Sequence, residues 1–121
     1  METFMSIDEN IIKPKTEDFA LRIVQLHRYL SKEKKEFVIS NQLLRSGTSI
    51  GANVTEGQYA QSKADFKSKM SIALKEAAET EYWVDLLYKS DYLNQKEYDS
   101  LRADLSPIIK ILISIVKSSG S

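Results

Sequence analysis

From Thr16 onward, apolar residues return every three or four positions, the period of helices that each bury one face. Thr16 reads as an N-cap, Glu17 and Asp18 suit the positive end of a helix dipole, and Phe19, Ile23, Leu26 and Leu30 then share a face. This first helix ends near Ser31, and residues 32–36 read as a solvated mixed-charge connection. Between Phe37 and Gly57, Ile39, Leu43, Gly47, Ile50 and Val54 fall at helical spacing, with Gly57 as the stop. Ser62 with Asp65 three residues on resembles a capping box that opens the longest helix. Its seam is Phe66, Met70, Ala73, Ala77, Thr80, Val84 and Leu87. Asn94 with Glu97 offers a second capping box, and Tyr98, Leu101, Leu105, Ile108, Leu112 and Ile115 repeat the seam.

Four helices joined by short links imply an all-α, up-down-up-down antiparallel four-helix bundle. Residues 1–15 lack a sustained period and end in Lys13-Pro14-Lys15, so they read as a tail or docking arm. Residues 16–117 form the bundle and residues 118–121 a C-terminal tail. Pro107 removes one backbone bond inside the fourth helix and predicts a kink there.

The second helix has poor intrinsic propensity and carries Arg45 as its one charge between Phe37 and Thr55, in a chain that is 28% charged. That pattern predicts cover on more than one side. Gly47, Gly51 and Ala52 would admit a neighbouring backbone, and Gln42, Ser46, Ser49, Asn53 and Glu56 form a polar stripe that needs partners on sister helices or another subunit. Residues 108–116 are apolar nearly all round. Together with the second helix they suggest more apolar surface than one bundle buries, and so a homo-oligomer.

With 121 residues, 42% of them hydrophobic, the chain suits one core and one domain. The absence of cysteine excludes disulfides, thiolate metal sites and cysteine nucleophiles. No stretch is apolar enough to span a bilayer, and Glu2, Asp8 and Glu9 stand where a signal peptide would be basic and then apolar, so the expectation is a soluble cytoplasmic protein with no membrane partner. Seventeen basic residues balance seventeen acidic ones, so any contact with nucleic acid must use a local patch.

No constellation specifies catalysis. A di-iron bundle needs paired Glu-x-x-His motifs, and the single histidine, His27, has no glutamate three residues before it. It reads as a surface or interhelical residue. Glu79 and Glu81 point to different faces, so they do not make a carboxylate pair, and Arg45 is a partner for Glu79 across the bundle. Phosphate loops and serine-hydrolase motifs are missing, and no cofactor or metal is implied. The candidate polar-core or interface residues are Arg45, Ser49, Asn53, Glu56 and Glu79.

Charge divides the third helix. Lys63, Lys67, Lys69 and Lys75 face only Asp65 in its first half, whereas Glu76, Glu79, Glu81, Asp85 and Asp91 face only Lys89 in its second. This opposes the helix dipole, so the pattern serves either pairing with neighbouring helices and subunits or contact with phosphate. Pairing is the preferred reading. The alternative is direct RNA binding through Lys63, Lys67 and Lys69.

The block from Arg45 to Gly57 (RSGTSIGANVTEG), then SKADF at 62–66 and IALKEAAETEYW at 72–83, resembles the bacterial family that includes proteins encoded in intervening sequences of large-subunit ribosomal RNA genes. The resemblance covers residues 16 to 117. It implies an up-and-down bundle assembled into a ring, commonly pentameric, with no established catalytic residues. It also implies association with ribosomal RNA through gene location, and a related branch supplies the basic accessory subunit of diversity-generating retroelements, which binds a reverse transcriptase and nucleic acid. Ser49, Ile50, Asn53, Glu56 and Gly57 match the family's central block, and Asp65, Phe66, Ala73 and Glu79 the next; Lys75-Glu76 stands where many members have Gly-Ser. The neutral charge departs from the basic branch. The expected function is a non-enzymatic, oligomeric interaction protein, with itself and a ribonucleoprotein as partners.

Overall fold

The structure, a computed structural model, describes residues 7–119. Four helices account for nearly all of them: α1 (Ile7–Lys32), α2 (Val38–Gly57), α3 (Lys63–Lys89) and α4 (Gln95–Ser119). Consecutive helices pack antiparallel and α4 closes onto α1, while the diagonal pairs make no close backbone approach. The result is the expected up-down-up-down bundle around one core.

The seam of α3 is buried at all seven positions named from the 4-3 spacing, Phe66 through Leu87. On α4, Leu101, Leu105, Ile108, Leu112 and Ile115 are buried, with Tyr98 half-buried beside them. Ser62 caps α3 with half of the expected box, and the Asn94–Glu97 box forms in full. Ser62 Oγ accepts from the Asp65 amide at 3.0 Å, although Asp65 reaches back to the Gln61 amide rather than that of Ser62. Asn94 and Glu97 exchange side-chain-to-amide bonds of 2.8 Å in both directions. At the far end of α3, Asp91 takes a left-handed conformation (φ 69), and the Tyr92 and Asp91 amides return to the Leu87 and Tyr88 carbonyls in a Schellman closure.

Three expectations are corrected. Helix α1 begins at Ile7, not Thr16, so residues 7–15 belong to the bundle and not to an arm; residues 1–6 lie outside the described residues. Pro14 sits inside the helix on an exposed position, and Ile12, fully buried, extends the apolar face one turn upstream. Burying such a side chain is worth about 1.5–3 kcal/mol, comparable to the roughly 3 kcal/mol of an interior proline. Thr16 is no cap. It is buried, and its hydroxyl donates to the Ile12 and Lys13 carbonyls at 2.9 and 3.0 Å. At the other end, Ser118 and Ser119 belong to α4 and not to the expected C-terminal tail; residues 120–121 lie outside the described residues.

Gly57 ends α2 without a left-handed backbone. A Cβ there would stand 2.5 Å from Met70 Cε, so α3 leaves room for nothing larger. Gly47 and Gly51 do admit a neighbour, namely α1: their Cβ positions lie 2.9 Å from Ile23 Cγ2 and 3.3 Å from the Thr16 carbonyl oxygen. Ala52 is exposed and takes no part.

The connection at 33–37 is also less solvated than its charges suggest. Lys35 is left-handed (φ 55), the Glu36 amide closes onto the Leu30 carbonyl at 3.0 Å, and the Glu36 side chain turns inward. Its carboxylate accepts from the Val38, Ile39 and Ser40 amides at 3.2, 3.1 and 2.7 Å, satisfying the open start of α2 that Phe37 leaves uncapped. Negative charge there also complements the helix dipole.

Two stability measurements follow. Replacing Glu36 by alanine lowers stability by about 1–2 kcal/mol in urea denaturation, and Glu36→Gln, which keeps one acceptor oxygen, loses less; an unchanged midpoint for Glu36→Ala would refute the cap. Gly47→Ala destabilises by about 1–3 kcal/mol through overpacking on Ile23. In an Ile23→Ala background the same change costs at least about 1 kcal/mol less, since helix propensity then favours alanine; additive effects would contradict the contact.

Candidate functional site

The five candidate polar residues gather along the junction of α2 and α3. Arg45 lies across it: Nη1 donates to Glu76 Oε2 at 3.2 Å, Nη2 donates to Glu79 Oε2, and Nε donates to Gln42 at 3.3 Å. Glu79 Oε2 also accepts from Trp83 Nε1 at 2.9 Å. The pairing of Arg45 with Glu79 is as expected. Trp83 as a further donor follows from its position four residues after Glu79, a spacing that puts both on one face.

Ser49 and Asn53 find their partners inside their own helix. Ser49 Oγ donates to the Arg45 carbonyl at 2.6 Å, and Asn53 Nδ2 donates to the Ser49 carbonyl at 2.8 Å. The buried interhelical bond of the stripe belongs instead to Ser46, whose Oγ accepts from Thr80 Oγ1 at 2.9 Å. Glu56 pairs across the junction with Lys69 at 3.1 Å. Among the described residues no buried side-chain polar atom lacks a partner.

The three candidate RNA-contacting lysines do not form one patch. Lys69 is committed to Glu56 on the α2 side. Lys67, two residues away, lies about 200° around the helix and faces α4 together with Lys63. Four acids of the second half of α3, Glu76, Glu79, Glu81 and Asp85, are also used internally. Glu81 accepts from Arg102, and Asp85 accepts from the Tyr98 hydroxyl at 2.7 Å. That hydrogen bond, with partial burial and the Asp85 charge, raises the Tyr98 pKa above its ordinary value.

The solvent side of α2 is neutral and partly apolar. Phe37, Val38 and Tyr59 are 52%, 78% and 81% exposed. Asn41, Gln42 and Ala52 are exposed between them, and the two charged residues, Arg45 and Glu56, are both neutralised from α3. By contrast, the apolar end of α4 leaves less surface than expected: Ile109, Ile111 and Val116 pack against the core, and of the apolar residues in 108–116 Ile113 alone is exposed.

His27 bonds Asn41 of α2 at 2.8 Å, an interhelical residue as expected. No group of three or more His, Asp and Glu side chains converges to hold a metal among the described residues. No helix among them is long and apolar enough to cross a membrane. A cavity of about 200 Å³ opens between α1 and α4, where Arg22 bonds Asp104 at 2.7 Å beside Phe19 and Pro107. Helix α4 runs through Pro107 as one element.

This architecture has a close counterpart. The crystal structure of a protein with unknown function from the S23 ribosomal protein family of Bacteroides thetaiotaomicron is 53% identical in sequence and superimposes with a TM-score of 0.90, covering 92% of this chain and 99% of its own. No curated protein matches. The profile described as 23S rRNA-intervening sequence protein matches residues 8–114, nearly the whole bundle from the first turns of α1 to the last of α4, and the chain therefore belongs to that family.

Proposed function

We propose that this chain is a non-enzymatic interaction protein that joins copies of itself through the outer face of α2 and serves a ribonucleoprotein. The observation that carries the reading is the face itself: a full helix length without an unneutralised charge, with large apolar side chains exposed at both ends and small or amide side chains between. On a solitary soluble bundle such a helix side is expected to carry lysine and glutamate. Here its charged groups are folded onto α3, and Asn41 Nδ2, Gln42 Nε2 and Asn53 Oδ1, the amide ends not bonded to His27, Arg45 and Ser49, suit hydrogen bonding across an interface.

The ribonucleoprotein part rests on kinship, since both the family and the structural counterpart are described in terms of ribosomal RNA or ribosomal protein. A ring of five copies is the assembly that the family resemblance implies, and it is adopted as the working subunit number.

Light scattering at micromolar concentration is expected to show a closed multimer. Ala52→Arg, placed on an exposed small residue where the helix itself tolerates it, should return the protein to monomer with unchanged helical content by circular dichroism. Trp83, the single tryptophan, lies on the α2 side of α3 and supplies a second readout, because covering that side should shift its emission to the blue. A wild-type chain that stays monomeric across the concentration range would remove the proposal.

A further inference from the structure

We infer that α3 and α4 together form a docking plate for the phosphate backbone of a nucleic acid, built from Lys67, Lys75, Lys110 and Lys117. The register between the two helices is constant. Glu81 meets Arg102, Asp85 meets Tyr98 and Tyr88 meets Gln95, so each turn forward on α3 matches one turn back on α4. Continued toward the start of α3, that register brings Lys67 level with Val116 and Lys117, and Lys110 level with Ala73, half a turn from Lys75.

Helical phase then sets which side chains share the outer face. On α3 the stripe is Lys67, Ser71, Lys75 and Ala78; on α4 it is Ser106, Lys110, Ile113 and Lys117, both at spacings of three and four on the side away from the core. Lys75, Lys110 and Lys117 are exposed and Lys67 half-buried. None of the four has an ion pair or hydrogen bond among the described residues. No acid occurs in residues 66–75 or 105–119, so nothing within the plate neutralises them.

The dimensions suit a charged strand. Eight residues of helix separate Lys67 from Lys75, about 12 Å, and the helices stand roughly 8–10 Å apart. Ser71 supplies a hydroxyl donor between the lysines and Ser106 one at the edge of the group, the groups that commonly join lysine on phosphate oxygens. An acidic protein would need a desolvated apolar anchor for comparable hold, and the plate offers only Ile113. Phosphate contact needs no such anchor, and with no aromatic side chain in the plate the contact is to backbone and not to stacked bases.

This inference is independent of self-association through α2. Binding of a fluorescein-labelled oligouridylate, followed by anisotropy, is expected to weaken about fifty-fold between 50 and 200 mM salt, a log–log slope of about −2.8 for four contacts on a single strand. Lys67→Gln and Lys110→Gln should each weaken binding and reduce the slope by about 0.7. Lys69→Gln, on the α2 side, should leave the slope unchanged. The lysine dependence is expected equally in the Ala52→Arg background, which keeps this result separate from the size of the particle. Absence of binding at 50 mM salt, equal sensitivity to Lys69→Gln, or equal affinity for polyglutamate or for phosphatidylserine vesicles would each overturn the assignment.

Discussion

How closely α1 lies on α2 determines what α2 has left for any other contact. The approach is possible because positions 47 and 51 carry no side chain: Ile23 occupies the space a Cβ would take at one, and the Thr16 backbone nearly does so at the other. The opposite flank of α2 is held by α3, through the buried Ser46–Thr80 hydrogen bond and through Met70 filling the space beside Gly57. Gripped on both flanks, α2 needs no intrinsic helix propensity, which its glycines and β-branched residues withhold. Glu36 supplies the remaining requirement by satisfying the first amides. What faces outward is then a narrow strip whose composition the core does not dictate, and its neutrality calls for an explanation outside the bundle.

Much of this fold was legible because a 4-3 spacing and a bundle seam are the same fact seen in one and three dimensions. The α3 seam and the Asn94–Glu97 box are local patterns, and local patterns survive folding. The misreadings came from long-range effects. Pro14 looks like a terminator until Ile12 is seen to be buried against the other helices, and the charges of residues 32–36 do not reveal which one turns in. The apolar run on α4 looks excessive in sequence because periodicity does not show how much of a helix flank its neighbours cover. In a four-cornered bundle Ile109, Ile111 and Val116 pack at the edges of the core.

The candidate site was legible in part for the same reason. Arg45 and Glu79 were paired from charge economy across adjacent helices, and the geometry agrees. Ser49 and Asn53 were expected to need external partners, but short polar side chains in a helix can bond the carbonyl one turn back. The lysine triplet diverges on helical phase, since Lys67 and Lys69 point to different sides, while Lys117 comes level with Lys67 and Lys110 with the turn before Lys75 only through the antiparallel register.

The reversed charge order of α3 acquires a consistent meaning once these contacts are placed. Its acidic half is consumed within the chain, by Arg45, Arg102 and Tyr98, whereas in its basic half only Lys69 is engaged. A molecule of zero net charge thus ties down the acids of α3 within the bundle and leaves lysines on one face. That face lies across the bundle from the junction of α1 and α2, so contact between copies through the outer side of α2 need not cover it. Each copy in such an assembly would add one plate, and linked plates bind a long polyanion with an avidity that a single four-lysine surface lacks. Global neutrality is therefore no obstacle to phosphate binding: the lysines of one plate suffice for contact, and assembly would only add to it.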